Sequence, residues 1–340
     1  MNDQRPARQQ HASTNRTAPG GAHPIPTVEW DLAARIGSGL LPAGPDLPAE
    51  RIRQTVEGLR QAAAKAEPII AEATGLSAPP AAEPYVVDRP TLVRWNIDLA
   101  AGLLAPYRQR ASVVRRLSGA ANAVQVAALF AWVGRQVLGQ FDPFADPPRL
   151  LLVAPNVAEV GQQAQADPAA FRLWVCLHEV THRYQFGHAP WLADHLYQLL
   201  AEVWQEETSL RSWLFGDTRS GLLGMFSPRG QDLLARGIAV MSLLEGHADL
   251  MMDRAGQIPG IRAIRARFQH RREASGLNAL WQRVSGLDQK YVQYRDGADF
   301  CRQVVDRAGL AGLNRAFDAV ELLPSSDEIH NPERWLARVC

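Results

Sequence analysis

The feature that most constrains this 340-residue chain is the pattern His-Glu-x-x-His at residues 178–182. Upstream of it, Asp167 and Pro168 form an N-cap followed by a proline in the first turn, which predicts the start of a helix. We therefore expect one helix from Pro168 to about Phe186. At 100° per residue both histidines lie on one inward stripe of that helix, together with Phe171, Val175 and Gln185.

This pattern is typical of a metal-dependent hydrolase. His178 and His182 are one turn apart, so their Cβ atoms lie roughly 5–6 Å apart and both rings can reach one metal ion at about 2.0–2.1 Å. Glu179 projects about 100° around the helix from His178, beside the metal, where it can take a proton from a bound water. The competing interpretation is a pair of hydrogen-bonded core histidines beside a solvated Glu179. The complete triplet on a capped amphipathic helix favours the metal site.

A catalytic zinc ion needs a third protein ligand and an open position for water, and three residues compete for that role. His188 lies six residues after His182, but the motif with that spacing has a chain-turning glycine where this chain has Gln185. Glu202 lies at the edge of the apolar stripe of its predicted helix, where a glutamate is usually solvated. Glu245 projects from the middle of an apolar stripe, and we favour it.

The case for Glu245 rests on the cost of burying a carboxylate. On the helix predicted from Gln231 to Arg254, an unpartnered carboxylate would cost several kcal/mol or become protonated, so a metal or an arginine must accompany it. Asp249, one turn later on the same side, is predicted to orient a ligating imidazole without touching the metal. Four polar residues remain candidates for stabilising the transition state: Arg183, Tyr184, His247 and His330.

Composition excludes several classes of function. The formal net charge is +1, from 36 basic and 35 acidic residues, so no overall field favours nucleic acid or an anionic membrane. Three distant cysteines argue against a disulfide framework and fit a reducing cytosol. Residues 1–26 are polar without an apolar core, and we predict a disordered tail there and a cytoplasmic protein. The apolar stretch from Leu117 to Gly134 is interpreted as a buried helix.

The pattern of prolines, glycines and apolar residues predicts a mainly α fold with a minimal β component. The predicted helices before the motif are Trp30–Leu40, Ala49–Thr74, Arg89–Leu104 and Arg108–Leu138. One segment, Arg149–Val153, has the character of a buried strand. We expect a helical half over residues 27–141, packed on a catalytic half over residues 142–340 in one compact unit.

Several motif blocks resemble an actinobacterial zincin-like family of zinc-dependent metalloproteases or hydrolases, formerly a domain of unknown function. These blocks are residues 139–144, 151–156, 171–192 and 245–249, and the resemblance extends from about Val28 onward. It implies a zincin-like fold, with His178, His182 and Glu245 as metal ligands and Glu179 as the catalytic base. One branch of this family is associated with biosynthesis of the deazaflavin coenzyme F-420.

The leading hypothesis is therefore a zinc-dependent hydrolase, and specifically a metallopeptidase in which Glu179 activates a zinc-bound water. Its expected partner is a peptide or a small amide substrate, with no nucleic acid and no membrane. Two alternatives stay open at this point. One is a non-catalytic zinc-binding scaffold, which would have no use for Glu179, and the other is an amidohydrolase acting on a small metabolite.

Overall fold

The computed structural model describes residues 27–42, 44–80, 82–107, 113–205, 227–255 and 294–340. The predicted tail, residues 1–26, lies outside this part. The helices are α1 (Trp30–Gly39), α2 (Ala49–Thr74), α3 (Arg89–Leu103), α4 (Val113–Gly134), α5 (Ala154–Gln163), α6 (Pro168–His188), α7 (Trp191–Gln205), α8 (Pro228–Arg254), α9 (Tyr294–Asn314), α10 (Ser326–His330) and α11 (Pro332–Val339). The strands are β1 (Tyr85–Val87), β2 (Gly139–Asp142) and β3 (Arg149–Val153). The prediction of a mainly α fold with a small sheet is confirmed.

Helix ends follow local signals in the sequence. Helix α2 has the predicted bounds, and it ends at Gly75, which adopts a left-handed conformation with φ 62° and donates its amide to the Ala71 carbonyl. Helix α6 begins as expected, because the Asp167 side chain accepts a hydrogen bond from the Ala170 amide. Helix α4 ends at Gly134, four residues before the predicted Leu138.

The sheet has the strand order β1-β3-β2. Strand β1 runs parallel to β3, with Tyr85 opposite Leu151, and β2 runs antiparallel to β3, with Gly139 opposite Leu152. Every residue of β3 is buried, which confirms the predicted strand. The prediction of a single strand was incomplete. Strands β1 and β2 are only three and four residues long, too short for periodicity to reveal.

The core joins the first and the second half of the chain. Helix α2 packs along α6, α6 also contacts α8, and α8 packs against α9. Strand β1 of the first half pairs with β3 of the second, while the division at residue 141 stays a prediction. Among the described helices, none combines the length and the apolarity needed to cross a bilayer.

Asn156 joins the sheet to the helices around it. Its fully buried side chain accepts a hydrogen bond from Arg89 Nε and donates to the carbonyls of Gly134 and Val137. Arg89 is itself buried and forms an ion pair with Glu159 of α5. A buried guanidinium and two backbone carbonyls, one buried and one half-buried, therefore depend on one amide side chain.

We expect Asn156→Ala to lower the free energy of unfolding by about 3 kcal/mol, because it leaves buried polar groups unsatisfied. Urea denaturation followed by circular dichroism measures this loss. Gln163→Ala is the matched control, since Gln163 is exposed on the same helix, and its effect should stay within about 0.5 kcal/mol. Equal stability of the two variants would contradict the role given to Asn156.

Candidate metal centre

Helix α6 supplies two of the three residues that converge at the centre. The helix lies between α2 and α8 and also contacts β2 and β3. Phe171 and Val175 anchor its buried face, and His178 and His182 follow on that stripe. Helix α8 approaches the same stripe and brings Glu245 to the two rings. The predicted set of His178, His182 and Glu245 therefore lies together in the structure.

The two ring nitrogens and the carboxylate of these three side chains converge at short distances. The Nε2 atoms of His178 and His182 are 3.2 Å apart. Glu245 Oε2 lies 3.4 Å from His178 Nε2, and Glu245 Oε1 lies 3.5 Å from His182 Nε2. The two imidazole rings are perpendicular, with an interplanar angle of 90°.

These separations fit a tetrahedral metal ion. Ligands arranged tetrahedrally at about 2.0–2.1 Å from zinc lie about 3.3–3.4 Å from one another, close to the 3.2 Å between the two ring nitrogens and to the 3.4 and 3.5 Å from each nitrogen to an oxygen of the Glu245 carboxylate. Two imidazoles and one carboxylate are also a common donor set for catalytic zinc. The side chains of His178, His182 and Glu245 are 16%, 13% and 23% exposed, so water can reach the centre. A site of this kind keeps one position open, unlike a closed structural zinc site.

Glu179 lies where the helix meets the sheet. The residue is only 7% exposed, and its side chain rests against Gly139, the first residue of β2. A Cβ atom at position 139 would lie 2.5 Å from Glu179 Cγ and 2.9 Å from Cδ. Glycine at this position therefore provides the space that the Glu179 side chain occupies. Sequence reasoning identified Glu179 but missed Gly139, because their contact depends on the arrangement of β2 and α6.

Gln185 is a second residue that sequence reasoning missed. The sequence placed it on the inward stripe of the helix and in place of a motif glycine but assigned it no role, yet its Oε1 lies 2.9 Å from Nδ1 of His182. This contact orients the imidazole from the nitrogen that faces away from Glu245. Gln185 lies one turn after His182 on the same inward stripe, and this spacing was the sequence signal that could have indicated the contact. Asp249 is half-buried on α8, and its predicted contact with a ligating imidazole stays a prediction.

The two competing third ligands lie outside this group. His188 Nδ1 accepts a hydrogen bond from the Ser77 amide at 3.1 Å, and its Nε2 is 3.9 Å from Asp318. Glu202 is 43% exposed and pairs with Arg229 at 3.4 Å. Neither side chain belongs to the group of potential ligands found among the described residues.

The four residues considered for transition-state stabilisation make other contacts. Arg183 forms an ion pair with Glu67 of α2, and the Tyr184 hydroxyl donates to the Glu67 carbonyl. His330 lies 2.9 Å from Asp296. His247 is fully buried, so it does not line the cleft. Burial is the main cause, and the charge of His182 a smaller one, that lowers the pKa of His247 to about 3.

Comparison with known proteins agrees with this geometry. A family model described as zincin-like metallopeptidase matches residues 28–336. The chain belongs to this family. It is also similar to a solved structure from Chloroflexus aurantiacus, described as a candidate hydrolase with a novel fold, at 28% identity and a TM-score of 0.69. That match covers 92% of this chain and 98% of the other. No curated protein matches.

Membership of this family supports a hydrolytic enzyme and implies a metal, usually zinc. The zincin-like part of the resemblance in the sequence is thereby confirmed. The narrower likeness to an actinobacterial branch, and its link to coenzyme F-420, stay predictions.

We expect the purified protein to hold about one zinc ion per chain. The Glu245→Ala variant should have a zinc affinity that is lower by orders of magnitude, because one of the three ligands is lost. Competition with a chromogenic chelator measures the affinity. Glu202→Ala and His188→Ala are the controls and should bind zinc like the wild type. Tight binding by Glu245→Ala, together with loss in Glu202→Ala, would reverse the assignment of the third ligand.

Proposed function

We propose that this protein is a zinc-dependent hydrolase that cleaves amide bonds of peptides. The observation that carries the proposal is the convergence of three side chains at a solvent-accessible point: the two histidine Nε2 atoms are 3.2 Å apart, and the two oxygens of the Glu245 carboxylate lie 3.4 and 3.5 Å from them. His178, His182 and Glu245 would hold the metal. When bound, zinc would polarise the scissile carbonyl and lower the pKa of a coordinated water to about 7.

Glu179 is the proposed general base. It follows His178 directly in the helix, where its side chain projects about 100° around the axis from that of His178, and it is not itself part of the ligand group. Its carboxylate would accept a proton from the attacking water and deliver it to the nitrogen of the leaving amine. The contact with Gly139 limits where the Glu179 side chain can move, which favours a defined position for that transfer.

The outer edge of β2 favours an extended peptide as the substrate. The Val153 amide donates to the Leu138 carbonyl, so Leu138 and Val153 are a hydrogen-bonded pair of the antiparallel ladder. In such a ladder, hydrogen-bonded pairs alternate with pairs that are not hydrogen-bonded. The N–H and C=O groups of Gly139 and Phe141 therefore point to the other edge of β2. In the described part of the chain no strand pairs with that edge. A peptide strand can add there and pass the residue that contacts Glu179.

Two alternatives receive less support. A non-catalytic zinc-binding scaffold does not need a buried glutamate beside a solvent-accessible centre. A compact metabolite does not need the edge of β2, with which no strand of the described residues pairs. We therefore propose a peptide as the partner. A cytoplasmic location is proposed on the sequence argument from cysteine usage and composition alone.

Glu179→Gln is expected to retain zinc and fold while losing hydrolysis of a peptide library by about 10²–10⁴-fold, the usual contribution of a general base. Glutamine has nearly the same shape but cannot take the proton. Mass spectrometry of library cleavage, with elemental analysis of the same sample, provides both readouts. Hydrolysis by Glu179→Gln at the wild-type rate would contradict the proposed mechanism.

Gly139→Ala tests the contact between β2 and Glu179. The new methyl group must displace the Glu179 side chain, so we expect peptide hydrolysis to fall by about 10²-fold while zinc content is unchanged. Gly102→Ala is the matched control, because a Cβ at position 102 would meet no atom within 4 Å. Its hydrolysis rate should equal that of the wild type. Equal activity of the two variants would show that Gly139 does not position Glu179.

A further inference from the structure

The Gln185 side chain links His182 to the interior of the protein. It is fully buried on α6 and contacts three groups. Its Oε1 lies 2.9 Å from His182 Nδ1. Its Nε2 lies 2.9 Å from the Leu244 carbonyl and 3.0 Å from His247 Nδ1, both on α8.

The Leu244 carbonyl determines how the Gln185 amide points. A backbone carbonyl can only accept a hydrogen bond, so the atom of Gln185 that faces it must be the NH₂ group. The other atom of the amide, Oε1, then faces His182 and can itself only accept. It follows that Nδ1 of His182 carries the hydrogen.

That assignment leaves an electron pair on the other nitrogen of His182. A neutral imidazole has one N–H group and one acceptor nitrogen. With the hydrogen on Nδ1, the lone pair is on Nε2, the atom that lies 3.2 Å from His178 Nε2 and 3.5 Å from Glu245 Oε1. This is the nitrogen and the form of the ring that a metal requires.

His247 completes the hydrogen bonding of the Gln185 amide. The second hydrogen of the NH₂ group points to His247 Nδ1, which must therefore accept. The His247 ring is fully buried and packs edge-on against Phe317, with centroids 5.0 Å apart. The amide of Gln185 is thus held between α6 and α8 by two acceptors.

We propose that Gln185 is a positioning residue: directed by the Leu244 carbonyl and His247, it holds His182 in the Nδ1–H tautomer, so that the Nε2 lone pair faces the metal position before any metal binds. The expected effect of this tautomer on zinc binding rests on the proposed metal site. The tautomer itself is a property of the metal-free protein, and it can be measured whether or not the protein is an enzyme.

The direct experiment is ¹⁵N NMR of the histidine side chains in the metal-free, full-length protein, with the His182 signals assigned by their absence from His182→Ala. In the wild type we expect a protonated Nδ1 and an unprotonated Nε2. Finding the hydrogen on Nε2 of wild-type His182 would overturn the proposal without the need for any Gln185 variant.

Two substitutions of Gln185 separate hydrogen bonding from packing. Gln185→Met has a similar length but no acceptor for Nδ1–H, so we expect mixed tautomers and a zinc affinity about 10–100-fold lower. Gln185→Glu keeps an acceptor oxygen for Nδ1–H, and in this buried position its protonated carboxyl donates its O–H to the Leu244 carbonyl in place of the amide, so the tautomer and most of the zinc affinity should be restored. Thr181→Val is the matched control, because Thr181 is buried on the same helix and donates only to the Leu177 carbonyl; its affinity should be that of the wild type.

The outcomes distinguish this inference from the proposed function. A Gln185→Met protein with the wild-type tautomer and the wild-type zinc affinity would overturn the inference. An equal loss of affinity in Gln185→Met and Gln185→Glu would overturn it too, because packing would then be the cause. If the wild type binds no zinc, yet the Nδ1–H tautomer is present and is lost in Gln185→Met, the metal function fails while the positioning of His182 by Gln185 is supported.

Discussion

The packing of α6 against α8 is the constraint on which the centre depends, because it holds the donor groups of three side chains 3.2–3.5 Å from their neighbours. Polar groups in such close proximity gain little from one another without a cation between them. Their arrangement must therefore be maintained by the surrounding packing. Helix α2 packs along α6, and α9 packs along α8. The apolar side chains at these contacts belong to one continuous core.

The sheet contributes to the same centre from another direction. Strand β3 is buried along its whole length and places β2 beside α6, where Gly139 accommodates the side chain of Glu179. The same strand leaves the backbone groups of Gly139 and Phe141 at an unpaired edge among the described residues. The proposed proton acceptor and the proposed edge for an extended peptide are thus adjacent, because Gly139 of β2 contributes to both.

Buried polar side chains in this protein act as connections between elements. Asn156 links α3, α5 and the segment after α4, and Gln185 links α6 to α8. In both cases the amide is fully buried, and groups distant in sequence accept or donate its hydrogen bonds. A buried polar group whose hydrogen bonds are all made in this way specifies one arrangement of its neighbours. The Gln185 amide lies directly behind His182, so the packing of α6 on α8 also determines the form of a potential metal ligand.

The sequence by itself determined the features that local rules control. Helix α2 and the start of α6 follow from capping and apolar periodicity, and the pairing of His178 with His182 follows from the helical turn. The choice of Glu245 followed from the cost of an unpartnered carboxylate on an apolar stripe. Only the tertiary structure decided the place of β1 and β2, the approach of Gly139 to Glu179, and the contact of Gln185 with Leu244, 59 residues away. Such contacts depend on how whole elements pack, and a pattern that repeats over one helical turn holds no information about a partner that far along the chain.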